Sequence, residues 1–235
     1  MPAFLQEYRE FKKQALHKNN DFPLDKFYPC VEDRNQESGI ASGHYFHQDL
    51  LVASKIFKNN PVNHVDIGSR IDGFVAHVAS FREIEVFDIR NLTIQPDNIS
   101  FKQIDLMDEG LNMFGYCDSL SCLHALEHFG LGRYGEKIDY QGHLKGWNNM
   151  YNILKKKGKL YFSVPIGKQR IEFNAHRVFS LPYLLNMIND YYQIDSFSYV
   201  NDAGNLIKNA DLNNQSINNN FSCNYGCGIF ELTKI

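Results

Sequence analysis

The feature that most constrains this chain is a change of texture at Val62. From there, short apolar runs bounded by polar turns alternate with amphipathic stretches. The runs fall at 63–67, 84–89, 99–104, 118–123 and 159–164. Between them, 73–80 reads as a short helix, and 140–154 as a longer one whose Leu144, Trp147, Tyr151 and Leu154 form an apolar stripe. After the fifth run, Ser180 can cap a helix that carries Pro182 in its first turn and Leu181, Leu184, Leu185 and Ile188 inward. Two last runs, 193–200 and 228–233, bring the strand total to seven. Strands separated by helices cannot be simple hairpins; they imply an α/β fold with a mostly parallel sheet and right-handed crossovers.

Ahead of this block, Phe4, Leu5, Tyr8, Phe11 and Ala15 recur at helical spacing over 4–16. A loop through Pro23, Pro29 and Gly39 runs to His47, a helix is predicted at 49–57, and Asn59-Asn60-Pro61 stops it. The expected organisation is therefore a helical segment with a substrate-covering loop over 1–61 and a main domain over 62–235. Within that domain 201–220 is dominated by asparagine and reads as a mobile polar loop.

At 235 residues the chain can bury the core of one such domain. A net charge of −3 argues against a nucleic-acid surface, which needs a local excess of cations. The one basic cluster, Lys155 to Lys157 with Lys159, sits at a predicted helix end, where positive charge suits the dipole. Five cysteines with no secretion signal or apolar span point to reduced thiols in the cytoplasm. Cys223 and Cys227 lack a second ligand pair of zinc-finger spacing, so no metal is expected.

The segment from Val65 to Gly73 closes the first strand and opens the first helix, where a doubly wound sheet meets a nucleotide-like ligand. Gly68 allows a tight turn and close backbone approach, and Asp88 ends the second strand, where a carboxylate can accept from ribose hydroxyls. Alone this signal is weak, since G-x-R-x-x-G also fits a turn that needs glycine only for sterics.

The motifs taken together resemble the class I S-adenosylmethionine-dependent methyltransferases. Asp66-x-Gly68 is similar to that family's first motif, Val86-Phe87-Asp88 to its second and Ile104-Asp105-Leu106 to its third. The stretch from Asp118 to Phe129, with its Leu-Glu-His, resembles the fourth strand and its exit. The resemblance covers Val62 to Val164 and implies a Rossmann-like fold with helices on both sheet faces and an antiparallel last strand. It implies S-adenosylmethionine as cofactor, held by Asp66, Gly68, Ser69, Arg70, Gly73, Asp88, Ile89, Asp105, Leu106 and Leu123. Arg70 departs from the family's second glycine: inward, it crowds the cofactor or pairs with its carboxylate; outward, it leaves binding to the backbone. More narrowly, His44-Tyr45-Phe46-His47-Gln48-Asp49, Phe173-Asn174-Ala175-His176-Arg177 and Tyr225-Gly226-Cys227-Gly228 resemble an uncharacterised methyltransferase-like domain family, some members of which are linked to surface-polysaccharide biosynthesis.

Methyl transfer to a hydroxyl needs an acceptor held in line and a base, for which histidine is the usual choice. His124, His128 and His176 are the candidate catalytic residues. His44, Tyr45, Glu127, Arg133, Tyr134, Asn174 and Arg177 are the candidate acceptor contacts. Each has a plainer alternative: His128 can cap or pack, Arg177 can form a surface ion pair, and 130–135 can be a lid or a connector. His64 and His77 read as structural. The leading expectation is methylation of a small polar acceptor such as a sugar or sugar nucleotide. An NAD(P)-dependent oxidoreductase and a catalytically silent partner subunit stand as alternatives, and a homodimer stays open.

Overall fold

The computed structural model describes residues 2–16, 22–94 and 96–235. Contacts divide the chain into two units, Met1–Ala41 and Ser42–Ile235. In the first, helix α1 (Pro2–Leu16) sets Phe4 and Tyr8 edge-on to Phe27, at 5.5 and 5.0 Å between ring centres. Arg34 pairs with Glu7 at 2.6 Å.

The second unit opens with α2 (His44–Asn59) and β1 (His64–Ile67), then a π-helical turn (Ile71–Val75) that runs into α3 (Ala76–Ala79). Strands β2 (Ile84–Asp88), β3 (Ile99–Gln103) and β4 (Cys117–Leu123) follow, then a 3-10 turn (Leu126–His128), α4 (Gly142–Ile153) and β5 (Leu154–Ile166). A small hairpin of β6 (Arg170–Glu172) and β7 (His176–Val178) precedes α5 (Leu181–Ile188). The chain ends with β8 (Tyr192–Val200), β9 (Leu206–Ile207), α6 (Asn214–Asn218) and β10 (Gly226–Lys234). The main sheet has the order β3-β2-β1-β4-β5-β10-β8-β9. Strands β3, β2, β1, β4 and β5 are parallel; β10 runs antiparallel between β5 and β8. This is the Rossmann-like methyltransferase fold, with its last strand reversed as expected.

Helices cover both faces. On one, Val52 and Ile56 of α2 and Val78 of α3 pack with Phe74, Val86 and Ile229. On the other, Trp147, Met150 and Ile153 of α4 and Leu181, Leu184 and Ile188 of α5 pack with Leu120, Phe162 and Phe230. Each such side chain, fully buried, contributes about 1.5–3 kcal/mol.

Four expectations need correction. The sheet has eight strands rather than seven, because β9 is two residues long and too short to show an alternating pattern. The asparagine-rich 201–220 is folded, not a mobile loop. Asn201 Oδ1 accepts from the Ala203 and Asn205 amides, Asn213 caps α6 through Ser216 N, and Ala210, Leu212 and Ile217 press on the core. Its asparagines supply backbone partners that water would otherwise supply. Helix α2 begins at His44, five residues before the expected start at 49, because Gly43 ends the loop as its N-cap with φ of 90°. Finally, the division falls after Ala41 rather than after Pro61, because α2 packs into the core of the second unit. The basic cluster follows the C-terminal end of α4 but lies on β5, with Lys155, Lys156 and Lys157 exposed.

Candidate active site

The turn after β1 is shaped by one residue. Gly68 has φ of 72°, its amide donates to the Phe87 carbonyl at 2.9 Å, and a Cβ there would lie 2.9 Å from Ala125 Cβ. Asp66 faces inward and is fully buried, accepting from Ser69 N at 3.0 Å, Ser69 Oγ at 2.9 Å and Ser121 Oγ at 2.6 Å. Burial raises its pKa to about 7 against those hydrogen bonds. Asp66 thus builds the turn and does not line the cleft, a correction to its expected cofactor role. The polar chain continues through His64, which sits between Ser119 Oγ (2.7 Å) and Ser121 Oγ (3.1 Å), with burial pushing its pKa down to about 3. His64 is structural, as expected.

Arg70 grips Asp72 through two hydrogen bonds of 2.9 and 2.7 Å, and both side chains are exposed. The Arg70 side chain is absent from the lining around Asp88 and Asp105 but forms part of the wall of the wider cavity beside it. A first cavity is lined by Gly68, Phe87, Asp88, Ile89, Asp105 and Leu106, and bounded by His124 and His128. A wider neighbouring cavity shares Gly68, Asp88, His124 and His128 and adds Tyr45, Ser69, Arg70, Leu123 and Arg133. Gly73 lies in an adjoining pocket with Asp49 and Leu123. The wall shared by the two cavities contains Arg90 and Tyr134. Arg90 donates to both carboxylate oxygens of Asp88, and its guanidinium lies 4.6 Å from the centre of the Tyr134 ring. Tyr134 in turn meets His128 edge-on at 5.6 Å.

The histidines converge as the sequence motifs promised, although not all of them face the cleft. His124, just after β4, has φ of 51° and is buried. Its Nδ1 lies 2.7 Å from Glu127 Oε1, its ring stacks on His44 at 5.1 Å, and Tyr45 tilts over it at 5.3 Å. Burial alone would lower the His124 pKa, but the Cys227 sulfur and the Glu127 carboxylate outweigh it and raise that pKa well above the usual value. Burial opposes ionisation of Glu127 as well, yet His124 holds its pKa below the ordinary carboxylate value. His44 stacks on Tyr225 at 5.4 Å, and burial pushes it down to about 4, so its imidazole is neutral near pH 7. His128 donates from Nδ1 to the Ala175 carbonyl at 2.7 Å, and burial lowers its pKa. Arg133 donates to the same carbonyl at 2.9 Å. His176 on β7 lies 5.0 Å from the Tyr225 ring, with Nε2 3.2 Å from Glu172.

Four expected acceptor contacts are placed elsewhere, and His44, stacked between His124 and Tyr225, is the first of them. Asn174 is exposed in the turn between β6 and β7. Arg177 is buried and donates to the carbonyls of Glu127 (3.3 Å), Phe129 (2.6 Å) and Tyr140 (3.1 Å), so it holds the 127–140 segment and forms no surface ion pair. Glu127 is buried behind the histidines rather than lining the cleft. Sequence reasoning missed Arg90, whose signal was its place two residues after Asp88. It also missed how Cys227 and Gln48 join the cluster: Gln48 Oε1 lies 3.7 Å from Cys227 Sγ and accepts from Ser163 Oγ at 2.7 Å. The 201–220 segment serves this cluster directly. Gly204 O accepts from Gly43 N and Ser42 Oγ at the start of α2, and Asp202 accepts from the Asn224 and Tyr225 amides.

Solved structures share this architecture. The Burkholderia thailandensis 1,6-didemethyltoxoflavin-N1-methyltransferase, with bound 1,6-didemethyltoxoflavin and S-adenosylhomocysteine, superimposes with a TM-score of 0.57 at 12% identity, over 80% of this chain and 78% of that one. The N-methyltransferase NodS from Bradyrhizobium japonicum WM9, in complex with S-adenosylhomocysteine, gives 0.52 at 12% identity, over 82% and 88%. The [4+2]-cyclase SpnF gives 0.55 at 12% identity, over 80% and 85%. At such identities the likeness establishes the fold, and the cyclase shows that proteins of this fold differ in what they do. None of the curated proteins compared matches the sequence. Residues 75–225, more than half of the chain and most of the sheet and site, match a family outright. The chain belongs to the family described as "Caenorhabditis protein of unknown function, DUF268".

Proposed function

We propose that this protein is an S-adenosylmethionine-dependent methyltransferase acting on a small polar acceptor. One observation carries the reading: Gly68 and Asp88 line the same cavity, and that cavity ends at His124 and His128. The fit is chemical as well as spatial. A side chain at Gly68 would intrude on Ala125, Asp88 offers a carboxylate at the place of a ribose, and Ile89 and Leu106 offer apolar faces beside Asp105 for a purine. The cofactor, when bound, supplies an electrophilic methyl group on a sulfonium.

The chain's own residues then have defined tasks. His128 gives its Nδ1 proton to the Ala175 carbonyl, which leaves the Nε2 lone pair free to take a proton from an acceptor hydroxyl or ammonium. Glu127 Oε1, 3.8 Å from that nitrogen, stabilises the imidazolium so formed. Arg133 and Arg177 fix the segment that carries His128. Tyr45 and Tyr134 line the wider cavity and offer rings on which a sugar can stack. A sugar or sugar nucleotide of surface-polysaccharide biosynthesis is the acceptor this reading favours, and a cytoplasmic setting agrees with five free cysteines. Among the described residues no helix is long and apolar enough to cross a membrane.

Arg90 favours a second reading, a methyltransferase-like binding subunit without turnover, because it already satisfies both oxygens of Asp88. Calorimetric titration with S-adenosylhomocysteine separates the outcomes. Saturable binding that weakens in Asp88→Asn supports the cofactor site; no heat at millimolar ligand refutes it. Binding with no methyl transfer to any sugar or sugar nucleotide offered would leave the second reading standing.

A further inference from the structure

His44, His124 and Cys227 come from segments far apart in the chain: the first residue of α2, the exit of β4 and the start of β10. One ring nitrogen from each histidine and the Cys227 sulfur all lie within 4.8 Å of one another. Cys227 and His124 are buried and His44 is half-buried. Glu127 occupies Nδ1 of His124, so Nε2 is the nitrogen left over, and it is buried without a hydrogen-bond partner. An imidazole held at one nitrogen by a carboxylate, with the other facing nitrogen and sulfur donors, is how proteins orient a metal-bound histidine. The left-handed backbone of His124 adds to this, since such strain persists where the surroundings impose it.

We propose that His44, His124 and Cys227 bind a zinc ion. Two imidazoles and a thiolate form a borderline-soft donor set that suits zinc, and three protein ligands leave a fourth position open. Glu127 is the carboxylate behind His124, and Gln48 lies beside the sulfur while its own Oε1 is engaged by Ser163. Bonds of about 2.0–2.3 Å ask the donors to draw slightly inward. His44, the least buried, can supply that by rotating its side chain. Binding displaces the Cys227 thiol proton. The sequence points away from a metal because Cys223 and Cys227 have no partner pair; the fold gives Cys227 histidines from α2 and β4 instead. The site adjoins the cofactor cleft through His124, which lines it, while His44 and Cys227 lie outside that lining.

The test uses the purified full chain, stripped with a chelator and titrated with zinc and then with cobalt. We expect one equivalent of zinc by elemental analysis and, with cobalt, a thiolate-to-metal charge-transfer band. The band disappears in Cys227→Ser and survives in Cys223→Ser. Glu127→Gln weakens zinc binding about 10–100-fold, as for other carboxylates behind a ligating histidine. No charge-transfer band at saturating cobalt overturns the proposal, and so does a band that persists in Cys227→Ser. Should Cys227→Ser fail to fold, His44→Asn at the half-buried position carries the test, and an unaltered cobalt spectrum there is equally fatal.

Discussion

The two ends of this site are built by different means. The end proposed for the cofactor lies on neighbouring stretches of chain, where Gly68 closes β1, Asp88 closes β2 and Asp105 follows β3. The cluster at the other end is assembled from α2, the β4 exit, β7 and β10, and is fixed by side-chain contacts across the fold. One end therefore depends on backbone shape and buried polar support, the other on packing among distant segments. Substitutions should separate the two.

The largest effect is expected beneath the cofactor end. Asp66 is an acid whose folded pKa, about 7, lies above its ordinary value of 3.8, so burial favours the protonated form. Its contribution to stability is complete below about pH 4 and is lost as the pH rises through 7, by on the order of 4 kcal/mol at about 1.4 kcal/mol per unit. Asp66→Asn is neutral at every pH. Its oxygen can keep the Ser69 amide bond while its nitrogen donates to the Ser69 or Ser121 hydroxyl, each of which can rotate to accept. Melting temperatures of the variant should gain on the native protein from pH 4 to pH 7 and run parallel above pH 8. Parallel curves throughout would show that Asp66 stays ionised in the fold.

At the acceptor end, Arg177→Met removes a charged donor from three carbonyls in a buried setting. Hydrogen bonds to charged groups contribute about 1.5–3 kcal/mol each, and part of that is recovered by packing the methionine, so a net loss of roughly 3 kcal/mol is expected. For a chain of this size that lowers the melting temperature by about 6–12 °C. The 127–140 segment should also gain protease sensitivity while cofactor affinity changes little. Unchanged proteolysis would mean that the segment is held by other contacts.

Gly68→Ala reverses the pattern, with modest cost to the fold and a large one to binding. A side chain at φ of 72° costs about 1–2 kcal/mol, and the new methyl meets Ala125 at 2.9 Å. We expect S-adenosylhomocysteine affinity to fall about 30-fold, the equivalent of 2 kcal/mol, with the circular dichroism spectrum unaltered. Native affinity in this variant would remove Gly68 from the site.

The same contrast explains what the sequence made legible. Strand alternation and the Gly68 and Asp88 positions are local properties of the chain, so the parallel sheet, and the place of these two residues at one edge of it, could be read directly. Arg70's direction was not readable, because it depends on Asp72 being near enough to pair with it in solvent. The histidines were readable as a group, but their partners were not. Glu127 and Arg177 occur in motif-like runs, yet burial turns the first into a support for His124 and the second into a clamp on carbonyls. Asparagine content made 201–220 resemble a mobile loop because composition does not show that its side chains replace water as backbone partners.

The smallest effect bears on the junction of the two ends. Arg90 bridges Asp88, in the cofactor cleft, to Tyr134, which packs on His128. It is 42% exposed, so its ion pair is worth less than about 1 kcal/mol. If Arg90 occupies Asp88 at the expense of a ribose, Arg90→Ala should tighten S-adenosylhomocysteine binding by no more than about fivefold, the ceiling set by that pair. If instead the guanidinium helps hold the ligand once Asp88 is engaged, the substitution weakens binding. The sign of a small change then decides whether Arg90 is a competitor or a contact. The competitor outcome also predicts that adding Asp88→Asn to Arg90→Ala costs more affinity than Asp88→Asn costs alone, because only in the absence of Arg90 is the full charge of Asp88 available to the ligand.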